Sequence, residues 1–307
     1  MSSFLLDSSW LWVPMVLFAA LAQTARNAAQ RSLTQAIGTL PATLVRFLYG
    51  LPFALLWLGF LYLITPRTLP DFSPAYLGWI ALGALFQVGG TAMLLLAMKA
   101  RNFAVAVTLS KTEVLQVALF GTVFLHELPT ALAVAAMVIA TLGVLILSLP
   151  PRDRRWSLSA WFSRSALYGL ACGAFFAIAA IGFRGGALAL GEPVPWINGA
   201  WGVVLAQTLQ SLVLGGWIAW RHPGGIAPVF RAWRVSLVAG SMGAAASMAW
   251  FTAYALQGAA HVRTLGMVEV VFSYLVSRRV LREPLSWPER IGMLLMLLGL
   301  VLVTLEY

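Results

Sequence analysis

Charge is scarce in this chain. Acidic and basic residues together make up 10% of its 307 residues, against roughly 25% in soluble domains. So few charges leave a water-facing surface uncovered, which excludes a soluble globular enzyme, and the same apolar excess excludes a disordered chain. Cysteine is rarer still. Cys172 stands alone, so a disulfide scaffold is excluded. The three histidines, His126, His222 and His261, fall near predicted loops and at no metal-ligand spacing. The sequence has no nucleophile elbow, no Walker-type phosphate loop and no carboxylates paired at short spacing. These absences argue against an enzyme, against an ATP-driven pump and against a bound cofactor.

What the chain has in abundance is apolar sequence, 61% of its residues. It falls into ten runs: 10–29, 40–63, 75–97, 103–124, 130–149, 165–190, 194–219, 234–257, 262–281 and 288–306. Runs of roughly 20 residues match the hydrocarbon core of a bilayer. They must be helical, because lipid offers no partner to an unpaired backbone group, and they lack the alternation of barrel strands. The expected fold is an all-α integral membrane protein with ten transmembrane helices and the lipid bilayer as its surroundings. The net charge of +10 does not point to nucleic acid, because the basic residues sit in short loops between the runs. The first run has no basic leading segment and continues through Arg26 and Arg31, so it does not read as a cleaved signal peptide.

A basic segment, 150–164, divides the chain into 1–149 and 165–307, with five runs on each side. Sliding one half along the other by 156 positions lays residues 107–147 over 263–303 without a gap, and ten of the 41 pairs are identical. Glu113 falls on Glu269 and Glu127 on Glu283, in a chain with ten acidic residues. Chance leucine matches do not account for two glutamates in register. A unit of five spans is odd, so the two copies are expected to lie upside down relative to each other. Inverted repeats are the architecture of many secondary transporters, with the binding site near the midplane between them.

The segment Phe124-Leu-His-Glu-Leu-Pro-Thr130, followed by an apolar run with Gly143, resembles the end-of-repeat signature of the EamA family of the drug/metabolite transporter superfamily. Leu281-Arg-Glu-Pro-Leu-Ser286, followed by Ile291-Gly292 and Leu298-Gly299-Leu300-Val301, is closer still. In the first copy Leu128 stands where that pattern usually has arginine or proline. The resemblance implies an inner-membrane secondary transporter that exports a small metabolite, an amino acid or a drug-like solute by alternating access. A channel-like or binding protein without coupled transport is the alternative reading. The resemblance also implies that both termini lie inside. Oligomeric state is not legible.

Ionisable side chains within spans are costly and invite a functional reading. Glu113 lies ten residues into its run, about 15 Å deep, and Glu269 is its repeat mate. The two carboxylates are candidates for binding a cation or exchanging protons. Lys111 is two residues from Glu113, a spacing that does not face it on a helix. Lys111 and Arg46 form a candidate anion-binding pair, with snorkelling to the headgroups as the alternative for Arg46. Together these charges favour a zwitterionic or amphipathic solute. Gln87 and Gln116, with Asn198, Gln207 and Gln210, are amides that either tie helices together or contact a ligand. Trp250 and Tyr254 share a helix face and either form an aromatic wall for a ligand or pack the core. Arg26, near the end of its run, reads as an interface anchor, as do the terminal tryptophans, Trp10 and Trp12 among them. The small residues Gly83, Gly89 and Gly90, and the run Gly240–Ser247, mark the third and eighth spans as close-packed helices able to slide.

The basic residues are lopsided. Arg31, Lys99, Arg101, Arg152, Arg154, Arg155, Arg164, Arg221, Arg231, Arg234, Arg278, Arg279, Arg282 and Arg290 collect on one side, and Arg67, Arg184 and Arg263 on the other. The first side is expected in the cytoplasm, with both termini outside. A cysteine at Ser157, in a Cys172→Ser background, is therefore expected to resist an impermeant thiol reagent in intact cells. Ready labelling of Ser157→Cys would establish the opposite orientation.

Overall fold

The computed structural model describes residues 10–65, 68–99, 109–147, 164–222, 224–272, 275 and 287–305. Among the described residues every regular element is a helix and no strand occurs. The helices are α1 (Trp12–Ile37), α2 (Thr39–Leu48), α3 (Leu51–Ile64), α4 (Pro74–Lys99), α5 (Glu113–Leu125), α6 (Ala131–Leu147), α7 (Arg164–Leu190), α8 (Pro195–Arg221), α9 (Ala227–Arg231), α10 (Trp233–Leu256), α11 (Ala259–Leu265) and α12 (Trp287–Thr304). Five segments are long and apolar enough to cross a membrane: Thr39–Ile64, Pro74–Leu96, Leu167–Leu190, Pro195–Arg221 and Trp233–Leu256. Glu113–Leu125, Ala131–Leu147 and Arg290–Thr304 are apolar but shorter. The expected runs 103–124 and 262–281, the linker 150–164 and Glu283 lie wholly or partly outside the described residues. Large apolar side chains face outward, with Leu56 71% and Leu63 82% exposed on α3, as suits helices whose surroundings are hydrocarbon.

α1 is 26 residues long yet is absent from those five, because its second half is polar. Gln23, Arg26, Asn27 and Gln30 recur at helical spacing, and Arg26 and Gln30 are buried. This inverts the usual amphipathic helix, since the polar stripe faces the protein interior. Gly38, at φ +88°, turns the chain from α1 into α2, a backbone conformation that glycine adopts without strain. The next span breaks at Tyr49–Gly50, where Pro52 has no N–H to continue the helical ladder and α3 starts afresh.

Helices pair through small residues. α4 lies along α7, α1 along α10, and α6 along α12. On α4, Gly83, Gly89 and Gly90 accept the rings of Phe183, Phe175 and Phe176 of α7. On α10, Gly240 lies against Tyr49. The third and eighth expected spans are thus both tightly packed, each against its own neighbour. The closest approach joins α6 to α12, where a Cβ on Gly143 would lie 2.3 Å from the Met296 amide nitrogen and 2.6 Å from the Gly292 carbonyl oxygen. These are backbone atoms that cannot swing aside. Small-to-large changes in packed interiors cost about 1–3 kcal/mol where neighbours can yield. Gly143→Val is expected to reach or exceed the top of that range and lower the thermal unfolding midpoint in detergent by about 5 °C or more. Gly59→Val, on a glycine with nothing within 4 Å of its Cβ position, is expected to leave the midpoint unchanged.

Candidate functional site

Two helix breaks position the site. The run expected to be continuous through Glu113 is interrupted by a turn at Lys111–Thr112, and α5 begins at Glu113 itself. Thr112 favours the interruption: its hydroxyl donates to the Leu109 carbonyl at 2.7 Å, a local bond that competes with the helical ladder. Gln116 steadies the turn by donating from Nε2 to the Thr112 hydroxyl at 3.1 Å. In the second half, α11 ends at Leu265, a turn follows at Gly266–Met267, and helix resumes over 268–272. A Cβ on Gly266 would lie 2.4 Å from Trp250 Cη2, so only glycine lets the backbone pass that ring. Glu113 thus stands in the first turn of a helix, where the unpaired N–H groups favour negative charge.

Arg263 of α11 meets Glu113 in an ion pair of 2.7 Å, Nη2 to Oε1, with 18% and 9% of the two side chains exposed. Its guanidinium also sits 4.9 Å from the centroid of the Trp250 ring. The Trp250 indole N–H donates to Gln23 Oε1 at 3.1 Å, and Gln23 Nε2 donates to Glu269 Oε2. The other carboxylate oxygen of Glu269 accepts from Asn27 Nδ2 at 2.9 Å. Asn27 Oδ1 in turn accepts from Arg26 Nη2 at 2.7 Å. One polar chain thus runs from Glu113 through Arg263, Trp250, Gln23, Glu269 and Asn27 to Arg26. It crosses between the two halves of the sequence four times.

Of the residues expected in the site, Glu113, Glu269, Trp250 and Tyr254 come together here. Trp250 and Tyr254 stack at 6.3 Å between centroids and 23° between planes, and the face of Trp250 carries the protein's own cation. Lys111 is half-buried in the turn, and the cation that meets Glu113 is Arg263. Arg46 does not snorkel. It is 4% exposed and donates from Nη1 to Thr91 Oγ1 on α4 at 3.0 Å. The structure sets it beside Arg26 rather than Lys111: a Cβ on Gly243 of α10 would lie 3.3 Å from Arg26 Cδ and 3.5 Å from Arg46 Cγ. Gln87 ties helices together, its Oε1 accepting from Gln210 Nε2 of α8 at 2.8 Å.

Other expectations need correction. Arg26 is no interface anchor: it is 3% exposed and belongs to the polar stripe of α1. Arg263, assigned to an external loop, is the buried partner of Glu113. Trp12, assigned to the aromatic belt, is fully buried. Glu127 pairs with Arg184 Nε at 2.6 Å, while Arg184 Nη1 donates to the Tyr254 carbonyl at 2.6 Å. Gln23 and Asn27 were not singled out, although their spacing with Arg26 and Gln30 on α1 traces one helical face.

Residues 10–149 match the model of the EamA-like transporter family. No curated protein matches the chain. One solved structure, titled only "Crystal structure of protein", aligns over 98% of this chain and 96% of its own at a TM-score of 0.70 and 18% identity. At that identity the likeness shows the fold alone, and it extends through both halves. The match covers residues 10–149, a little under half of the chain; over that stretch the sequence is that of the EamA-like transporter family, in the drug/metabolite transporter superfamily, and the chain's apolar helices are those of a multi-pass membrane protein.

Proposed function

We propose that the protein is a secondary transporter of the inner membrane, built from two inverted five-span repeats (1–149 and 165–307) joined by the linker 150–164, which exports a small metabolite, amino acid or drug-like solute by alternating access. The observation that carries this reading is the buried polar chain between the halves. Glu113 of the first half is matched by Arg263 of the second, and Glu269 of the second by Gln23 and Asn27 of the first. A solute that binds between the halves competes for these contacts, which couples its binding to their relative position. Three further features support the repeat. At the 156-residue offset, α12 falls on α6, the helix pairs α1–α10 and α4–α7 exchange with one another, and the two helix breaks fall within about one residue of each other. Discontinuous helices at the midplane are a recurring feature of transporter binding sites.

Protons are the proposed driving ion, and the geometry favours Glu269 over Glu113 as their carrier. Protonating Glu113 would leave Arg263 as a buried cation without its partner, a loss on the order of 3–5 kcal/mol. The direct partners of Glu269 are two neutral amides, so its protonation breaks no ion pair of that kind. The test is a reconstituted vesicle with an imposed pH gradient, supplied with a mixture of amino acids and small organic acids and read by mass spectrometry. Saturable, gradient-dependent accumulation is expected, whereas flux proportional to concentration without saturation would favour the channel-like alternative. Glu269→Gln is expected to retain solute exchange and lose gradient-driven accumulation. Glu113→Gln is expected to lose both. The reverse pattern would move the proton to Glu113.

A further inference from the structure

Arg26 and Arg46 are two buried cations lying side by side whose direct partners are both uncharged. Arg26 donates to the Asn27 side-chain oxygen and Arg46 to the Thr91 hydroxyl. Arg26 Nη1 and Arg46 Nε bond to none of the described residues, although both arginines are less than one-twentieth exposed. Among the described residues the cluster sets four cations, Arg26, Arg46, Lys111 and Arg263, against two carboxylates, Glu113 and Glu269. Glu113 is taken by Arg263, and Glu269 bonds directly to amides rather than to either arginine. Two guanidiniums held together at this depth repel each other and lack the pairing that buried charge requires. Glycine at 243 lets both stems lie close against α10, where a Cβ would stand 3.3 Å from Arg26 Cδ and 3.5 Å from Arg46 Cγ.

The geometry points to an oxyanion subsite: we propose that Arg26 and Arg46 together hold the carboxylate or phosphate group of the transported solute above Gly243. The inference rests on the transporter reading and gives its substrate class as organic anions, or zwitterions bound through their acidic group. Guanidinium groups suit this task because their N–H donors match the two oxygens of a carboxylate or phosphate in charge-assisted hydrogen bonds. The trapped charge of the arginines is also what a lipid phosphate would seek, so the test separates a soluble anion from a headgroup.

The full-length protein, purified in an uncharged detergent, is titrated with benzoate, benzamide, benzylamine, inorganic phosphate and dispersed phosphatidylglycerol, and read by thermal shift and calorimetry. Benzoate or phosphate is expected to stabilise the protein saturably, and benzamide and benzylamine to leave it unchanged. Arg26→Gln and Arg46→Gln are each expected to weaken that binding about tenfold or more, and Arg46→Lys to retain part of it. Gly243→Val keeps both charges but presses on the two stems that position them, and is expected to weaken anion binding about tenfold or more while the unliganded protein stays folded. Stabilisation by phosphatidylglycerol alone, or equal binding of benzamide, overturns the proposal, as does full anion binding in both Arg→Gln variants. The two readings fail differently. Saturable vesicle transport of only neutral or cationic solutes removes the anion subsite and leaves the transporter; anion binding without gradient-dependent flux of any solute leaves the subsite and removes the transporter.

Discussion

A charge buried among apolar helices must find a partner, and here the partner comes from the other half of the chain. Glu113 and Arg263 are 150 positions apart in sequence and 2.7 Å apart in space. Removing one member of a buried pair strands the other at a cost of about 3–5 kcal/mol. Neither half can therefore present its own charges to a hydrocarbon interior alone. Two amides of α1 extend this contact between the halves. Gln23 bonds at both ends of its amide, to the indole of Trp250 and to Glu269, and Asn27 does the same between Glu269 and Arg26. Each amide relays a donor to the carboxylate while its own oxygen is satisfied, the condition under which a buried polar network is tolerated.

That requirement shapes the helices around it. A polar stripe on α1 has to face inward, so α1 gives up the hydropathy of an ordinary span and lies along α10, which supplies Trp250 and Gly243. The turns at Lys111–Thr112 and Gly266–Met267 interrupt helices that would otherwise run through the site. They leave Glu113 and Glu269 close to fresh helix starts rather than in the middle of closed ladders. Glycines set the spacing. Gly266 passes the Trp250 ring and Gly243 passes two arginine stems, so the aromatic and cationic groups keep their places without displacing backbone.

The hydrophobic runs carried the all-helical, membrane-embedded class. Helix breaks were harder to read, because Thr112 and Gly266 look unremarkable inside apolar stretches and act only through a side-chain bond and a neighbouring ring. Arg26 and Arg263 were misplaced for a common reason. Both lie near the ends of apolar runs, where an arginine ordinarily reaches for the headgroups, and nothing local reports that a distant carboxylate or a neighbouring helix face holds them inside. The i, i+3, i+4, i+7 spacing of Gln23, Arg26, Asn27 and Gln30 was legible, but only if polar residues are read for periodicity as apolar ones are.

Glu113 and Glu269, which the 156-position offset aligns in sequence, differ chemically. Glu113 faces a guanidinium directly, a cation that keeps its own proton in a protein. Glu269 faces amides, whose N–H groups bond a carboxylate without cancelling its charge. Such a pair contributes little net stability, since desolvation offsets most of the attraction in a buried ion pair. What it does supply is a distinction between the halves: one carboxylate holds a cation across the boundary, and the other is held by two neutral amides. Identical contacts at both carboxylates would give no such bias. The asymmetry arises from the stripe on α1, because Gln23 and Asn27 belong to the first half and bond only the glutamate of the second.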